Sequence, residues 1–193
     1  MQTAQDRLRS LAHGIQRCRR CALHRTRTHA VPGEGPVDAR VFFIGEAPGR
    51  REDEAARPFV GAAGEYLNAR LTALGLARDT AFITSCVKCR PPNNRNPRAG
   101  EVATCRDRWL RPQLELVSPR LIVLLGTTAA AAFIERAPTL KDLHGRVREF
   151  DGRRWFVTYH PAAAMRFPRI DRAVREDFRT LKRVLADLHG DAD

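Results

Sequence analysis

Cys18 and Cys21 form a C-x2-C pair, and Cys86 and Cys89 form a second. Two such pairs can place four thiolates around one tetrahedral zinc ion. A fifth cysteine allows another set, Cys18, Cys21, Cys89 and Cys105, which would suit an iron–sulfur cluster and leave Cys86 a buried thiol. Spacing alone leaves both sets open. The remaining chemistry-bearing residues follow short apolar runs. Gly45-Glu46-Ala47-Pro48-Gly49 and then Arg50-Arg51-Glu52-Asp53 come after Val41 to Ile44. A polar, basic stretch from Cys86 to Asn96 comes after Ala81, and His160-Pro161 comes after Trp155 to Tyr159. Singly these are weak signals: a histidine after a strand is more often a hydrogen-bonded structural residue, and a Glu-Asp pair in a loop is usually solvated. Together on one edge of a sheet they would assemble acid, base and backbone donors.

The elements that must position them read from periodicity. Short apolar runs at 41–44, 81–87, 120–125 and 155–159, the last preceded by an Asp151-Gly152 turn, predict four strands buried on both faces. Helical spacing predicts helices over 3–17, 64–76, 101–117, 128–135 and 171–188, and Asn93 to Arg98 reads as a basic, proline-flanked loop. Strands alternating with helices imply an α/β fold: a three-layer α/β/α sandwich with a mainly parallel four-stranded central sheet, as one domain over 1–193. In such folds ligands bind beyond the carboxyl ends of the strands, where the glutamates and His160 fall.

The formal charge of +12 points to a polyanion such as nucleic acid. Arginine greatly outnumbers lysine, which suits phosphate and base contacts. No apolar run is long enough to span a membrane and the N-terminus lacks a signal-peptide stretch, so a cytoplasmic, nucleoid-associated protein is expected. In the cytosol disulfides are rare, and paired cysteines more often bind metal.

Three segments then carry a specific likeness. GEAPGRREDEAARPFVGAAG (Gly45 to Gly64), ITSCVKCRPPNNRNP (Ile83 to Pro97) and YHPAAAMR (Tyr159 to Arg166), with the first C-x2-C and VPGEG, closely resemble the family 4 uracil-DNA glycosylases over about residues 18–185. The resemblance implies a [4Fe-4S] cluster on Cys18, Cys21, Cys89 and Cys105. Two features of the chain agree: Cys21 and Cys86 lie across a whole βαβ segment, much further apart than zinc-ribbon pairs, and Cys86 sits inside a strand.

The implied activity is hydrolysis of the N-glycosidic bond of a flipped-out uracil, leaving an abasic site, by a monomer acting on single- or double-stranded DNA. By resemblance Phe59 stacks on uracil, His160 donates to its O2, and the backbone of Gly45, Glu46 and Ala47 lines the pocket. Glu46 is the first choice for the carboxylate that supports the sugar cation and orients water. Glu52 is the second choice, with the alternative of lying near uracil C5, and Asp53 is weaker. Ser85 departs from the asparagine common in the family and offers one hydroxyl in place of an amide. That motivates an alternative: a cluster-stabilised nucleic-acid-binding protein of the same fold with weak or altered base specificity, for example for hypoxanthine or xanthine. The only lysines are Lys88, Lys141 and Lys182, and Lys88 stands next to a proposed cluster ligand rather than at the sugar, so a monofunctional enzyme is expected. DNA contacts are expected from Arg90, Arg95 and Arg98, with Met165 or Arg166 entering the duplex.

Overall fold

In the computed structural model, which describes residues 2–134 and 139–190, five strands form one sheet: β1 (Val41–Gly45), β2 (Phe82–Ser85), β3 (Leu121–Leu125), β4 (Val147–Phe150) and β5 (Arg153–Thr158). Their order is β2-β1-β3-β5-β4. The first four of these are mutually parallel, and β4 pairs antiparallel with β5. The four expected strands are the parallel ones, but β2 ends at Ser85, so Cys86 lies just beyond the strand and not inside it. β4 is an addition, the near arm of the Asp151-Gly152 turn, whose two residues take positive φ of 53° and 65° as a tight hairpin requires. Its half-exposed Val-Arg-Glu-Phe sequence carries little apolar signal.

Helix α1 (Ala4–Gln16) precedes the sheet, and α2 (Arg50–Ala55) and α3 (Ala62–Leu74) join β1 to β2. Helices α4 (Ala99–Cys105) and α5 (Arg111–Val117) lead to β3, and α6 (Thr127–Phe133) and α7 (Leu140–Leu143) lead to β4. Helices α8 (Pro161–Arg166) and α9 (Pro168–Gly190) close the described chain. The expected helix over 101–117 is α4 and α5 fused through a π turn, Arg106–Leu110. The expected end of another at Glu135 lies outside the described residues, as do the first and last residues of the single-domain span. One correction concerns Arg50 to Asp53: the segment is the first turn of α2, not a loop, and Asp53 is buried, not solvated.

Strand side chains alternate between two cores, because successive residues point to opposite faces. Phe42, Ile44, Phe82, Ile122, Leu124, Trp155 and Val157 pack with Ile15, Val102, Leu114 and Ala129 from α1, α4, α5 and α6. Val41, Phe43, Ile83, Leu121, Val123 and Phe156 pack with Leu67, Leu71, Val174 and Phe178 from α3 and α9. Both faces are thus covered, which is why the parallel strands are apolar throughout and why the fold is a three-layer sandwich. Local signals set the helix ends: Thr3 and Asp6 form a capping box on α1, and Gly75, left-handed at φ 75°, ends α3.

Candidate active site

The carboxyl ends of β1, β2 and β5 converge on one pocket. Gly45 and Ser85 are register partners at the ends of β1 and β2, and His160 follows β5 as the N-cap of α8. A Cβ on Gly45 would stand 2.5 Å from the Phe59 ring and 3.6 Å from His160 Nε2, so the missing side chain is what lets these groups approach. The Phe59 and His160 rings lie 5.8 Å apart, centroid to centroid. Position after the strands brought Gly45 and His160 to one rim and the resemblance added Phe59 and Ser85; the structure brings Phe59 and His160 together over Gly45, with Ser85 as its register partner.

The tautomer of His160 follows from its cap. The Ala162 N–H donates to Nδ1 at 3.2 Å, so Nδ1 is unprotonated and Nε2 carries the hydrogen. Burial pushes the imidazole pKa down to about 4, against an upward pull from the Glu52 carboxylate. The ring is therefore neutral at physiological pH and presents one N–H donor. The same shift links to stability. The neutral ring is favoured in the fold, so its contribution is full above 6.5 and is lost as pH falls towards 4.

Glu46 and Ala47 follow directly on Gly45. Thr128, at the start of α6 beyond β3, donates its hydroxyl to Glu46 Oε2, and the backbone carbonyl of Glu46 accepts from Val87 N–H at 3.3 Å. Thr128 was missed from sequence, although its place after a strand on the same rim was a usable signal. Glu52 is otherwise engaged: Oε2 accepts from Gly49 N–H at 3.1 Å, and Oε1 accepts from Val60 and Gly61 N–H at 2.9 and 2.7 Å. Its carboxylate closes the loop that carries Phe59. Asp53 accepts from the Thr28 and His29 N–H groups and anchors α2 to the N-terminal segment.

The Phe59 loop is tightly specified. A Cβ on Gly64 would meet the Phe59 carbonyl oxygen at 1.9 Å. Replacing Gly64 with alanine is expected to destabilise the protein by about 2–3 kcal/mol, the upper part of the usual range for a backbone clash, as read by thermal unfolding.

The basic loop after β2 includes a short turn, Pro92–Asn94. Arg90 Nε donates to Asn94 Oδ1 at 2.7 Å, whereas Arg95 is held by Glu101 through two hydrogen bonds of 2.9 and 2.8 Å. The Arg98 backbone N–H also donates to Glu101, at 2.7 Å. Arg95 thus shapes the loop. On the other side of the pocket Met165 and Phe167 are 52% and 48% exposed, unusual for large apolar side chains, and the Arg166 guanidinium lies 5.3 Å from the Phe167 ring centre. Phe167 ends the Ala162 to Phe167 segment, from which the sequence reading singled out only Met165 and Arg166.

The cysteines separate as a set of four and one. Cys18, Cys21, Cys89 and Cys105 line one pocket with Ile15, Lys88 and Trp109, and Cys86 does not. Trp109 Nε1 donates to Cys18 Sγ at 3.2 Å and Arg27 Nη1 donates to Cys89 Sγ at 2.9 Å. Cys86 is fully buried, and burial pushes its thiol up to about 12. Lys88 is buried as well, its Nζ donating to Thr84 Oγ1 at 2.5 Å. Among the described residues, no three His, Cys, Asp or Glu side chains converge to hold a single metal ion.

This fold and this rim define a class. Residues 32–188 match the model of the uracil DNA glycosylase superfamily. A protein of Pyrobaculum aerophilum named type-4 uracil-DNA glycosylase is 44% identical over 182 residues, covering 89% of each chain. One of the same name from Archaeoglobus fulgidus is 41% identical over 186 residues, covering 91% of this chain and 92% of its own. The type-5 uracil-DNA glycosylase of P. aerophilum is 39% identical over 149 residues, 68% of this chain. The chain belongs to the type-4 uracil-DNA glycosylase family.

Proposed function

We propose that the protein is a monofunctional DNA glycosylase that, as a monomer, hydrolyses the N-glycosidic bond of uracil flipped from single- or double-stranded DNA. The carrying observation is His160, neutral and with its N–H on Nε2, beside Phe59 and the bare Gly45. A flipped uracil entering there stacks on Phe59 and meets backbone groups of Gly45 to Ala47. As the bond breaks, negative charge grows on uracil O2, and a fixed N–H donor stabilises that state more than the ground state. The Glu46 carboxylate, oriented by the Thr128 hydroxyl, supports the sugar's positive charge and aligns the attacking water. Glu52 acts through the Phe59 loop. Ser85 supplies one hydroxyl to the base edge, so selectivity rests more on the pocket backbone than it would with an amide.

Phosphate contacts fall to Arg90 and Arg98, and Met165 and Arg166, with Phe167, face the distorted duplex. Cys18, Cys21, Cys89 and Cys105, which line one pocket, would hold a [4Fe-4S] cluster. The N–H groups of Trp109 and Arg27 are aimed at two of the sulfurs, those of Cys18 and Cys89, and would orient them as ligands. Such a cluster would supply no reacting group, and its four cysteines would tie the segment after α1 to α4.

Lys88 is buried in the cysteine pocket with its Nζ on Thr84 Oγ1, which supports a reading without Schiff-base chemistry at the sugar. The test is an end-labelled oligonucleotide with one uracil, incubated with the protein. Strand breaks at the uracil are expected only after hot alkali. Their absence would overturn the function, and breaks without alkali would overturn the monofunctional assignment.

A further inference from the structure

Phe59 stands on a backbone that an L side chain rarely adopts, with φ at +49°. A conformation of this kind persists only where the surroundings over-determine it. Glu52 holds the peptides after Phe59. The carbonyls of Pro58 and Phe59 themselves are held by Arg78, which lies in the Arg78–Thr80 turn leading into β2. Arg78 Nη2 donates to Pro58 O at 2.6 Å, and Nη1 donates to Phe59 O at 3.3 Å. Nη1 also donates to Asn68 Oδ1 on α3 at 2.7 Å. Nε and Nη2 donate to Glu34 Oε1 at 3.0 and 2.7 Å.

Glu34 is the acidic residue of the VPGEG turn, a motif with no part in the chemistry above. Its backbone is fixed on β2: Glu34 N–H donates to Ile83 O at 3.0 Å, and Ile83 N–H donates to Glu34 O at 2.8 Å. Its carboxylate also accepts from Arg57 at 2.8 and 3.2 Å. One guanidinium therefore ties the edge of β2, α3 and the Phe59 loop into a single frame. Only a planar fork with donors in several directions can serve these acceptors together.

We propose that Arg78, set in place by Glu34, is the positioning residue that places the Phe59 ring over Gly45 and beside His160. This rests on the uracil-excision reading and deepens it. Because Arg78 acts through Phe59, its loss is felt in excision of the flipped base and not in general DNA binding. It also adds nothing once the ring is gone.

The experiment is a double-mutant cycle of Arg78→Met and Phe59→Ala, read by single-turnover uracil release, with thermal unfolding and affinity for uracil-free duplex measured alongside. Each single change is expected to slow release by about 10- to 100-fold, the scale of a misplacement near the reacting group. The double variant is expected to be no slower than Phe59→Ala alone, with uracil-free DNA bound as before. Arg78→Lys should not restore the rate, since an ammonium cannot reproduce the fork. Losses that multiply in the double variant, or an undiminished rate in Arg78→Met, would overturn the assignment. Should Arg78→Met fail to fold, Glu34→Gln enters the same cycle, with the same two outcomes deciding. An inactive wild-type protein would instead overturn the uracil-excision reading itself, a result distinct from an active enzyme whose losses multiply.

Discussion

Replacing His160 with alanine is expected to slow uracil release by about 100- to 1000-fold, the usual cost of removing one donor from a site where negative charge develops. Binding of uracil-containing DNA should be little changed. The split follows from the geometry. The Nε2–H faces the pocket bounded by Phe59 and Gly45, while Nδ1 is occupied by the Ala162 N–H. A neutral donor of this kind does little for the ground-state carbonyl and more for the departing uracil anion. The substitution also removes the side-chain cap of α8, which carries Met165 and Arg166, so the measurement should include thermal unfolding. Equal turnover in a folded variant would remove His160 from the mechanism.

Substituting Cys105 with serine is expected to abolish the visible absorption of an iron–sulfur cluster and to lower thermal stability, whereas Cys86→Ala should keep the chromophore. Cys105 is the last residue of α4 and lines the pocket that also holds Cys18, Cys21 and Cys89. The cluster would therefore tie the segment after α1 to the helix layer beneath β2. Loss of such a tie is a loss of folding free energy, since the ligands are not gathered in the unfolded chain. Cys86 lies outside that pocket and packs among Phe42, Ile44 and Val87 in the sheet core. Bleaching by Cys86→Ala, with the colour kept in Cys105→Ser, would move the cluster to Cys18, Cys21, Cys86 and Cys89, and a colourless wild-type protein that carries zinc would restore the zinc reading.

The parallel strands were legible because strands covered on both faces are written as unbroken apolar runs. Their carboxyl ends then pointed to Gly45, Glu46 and His160 without further information, whereas Ser85 was singled out only by resemblance. β4 was not legible, because an edge strand packed on one side alternates weakly with charge. The electrostatic details of the rim were hidden for another reason. Asp53 is buried because the backbone of Thr28 and His29 folds back onto it, and Glu52 is held by peptides of its own loop. Neither contact leaves a mark in side-chain types. The same holds for Arg78 and Glu34, whose meeting across 44 residues follows from the bridge between Glu34 and Ile83. Thr128 is intermediate: its position after β3 was readable, but its bond to Glu46 depends on β1 and β3 being neighbours.

The central claim is excision of uracil by a neutral His160, and the pH dependence of single-turnover uracil release from a one-uracil duplex tests it most directly. With the imidazole held near 4, the rate should stay level from about pH 8 down through 6.5 and decline only as pH approaches that lowered value. An acid limb with its midpoint near 6.5, or no release of uracil at any pH, would contradict it.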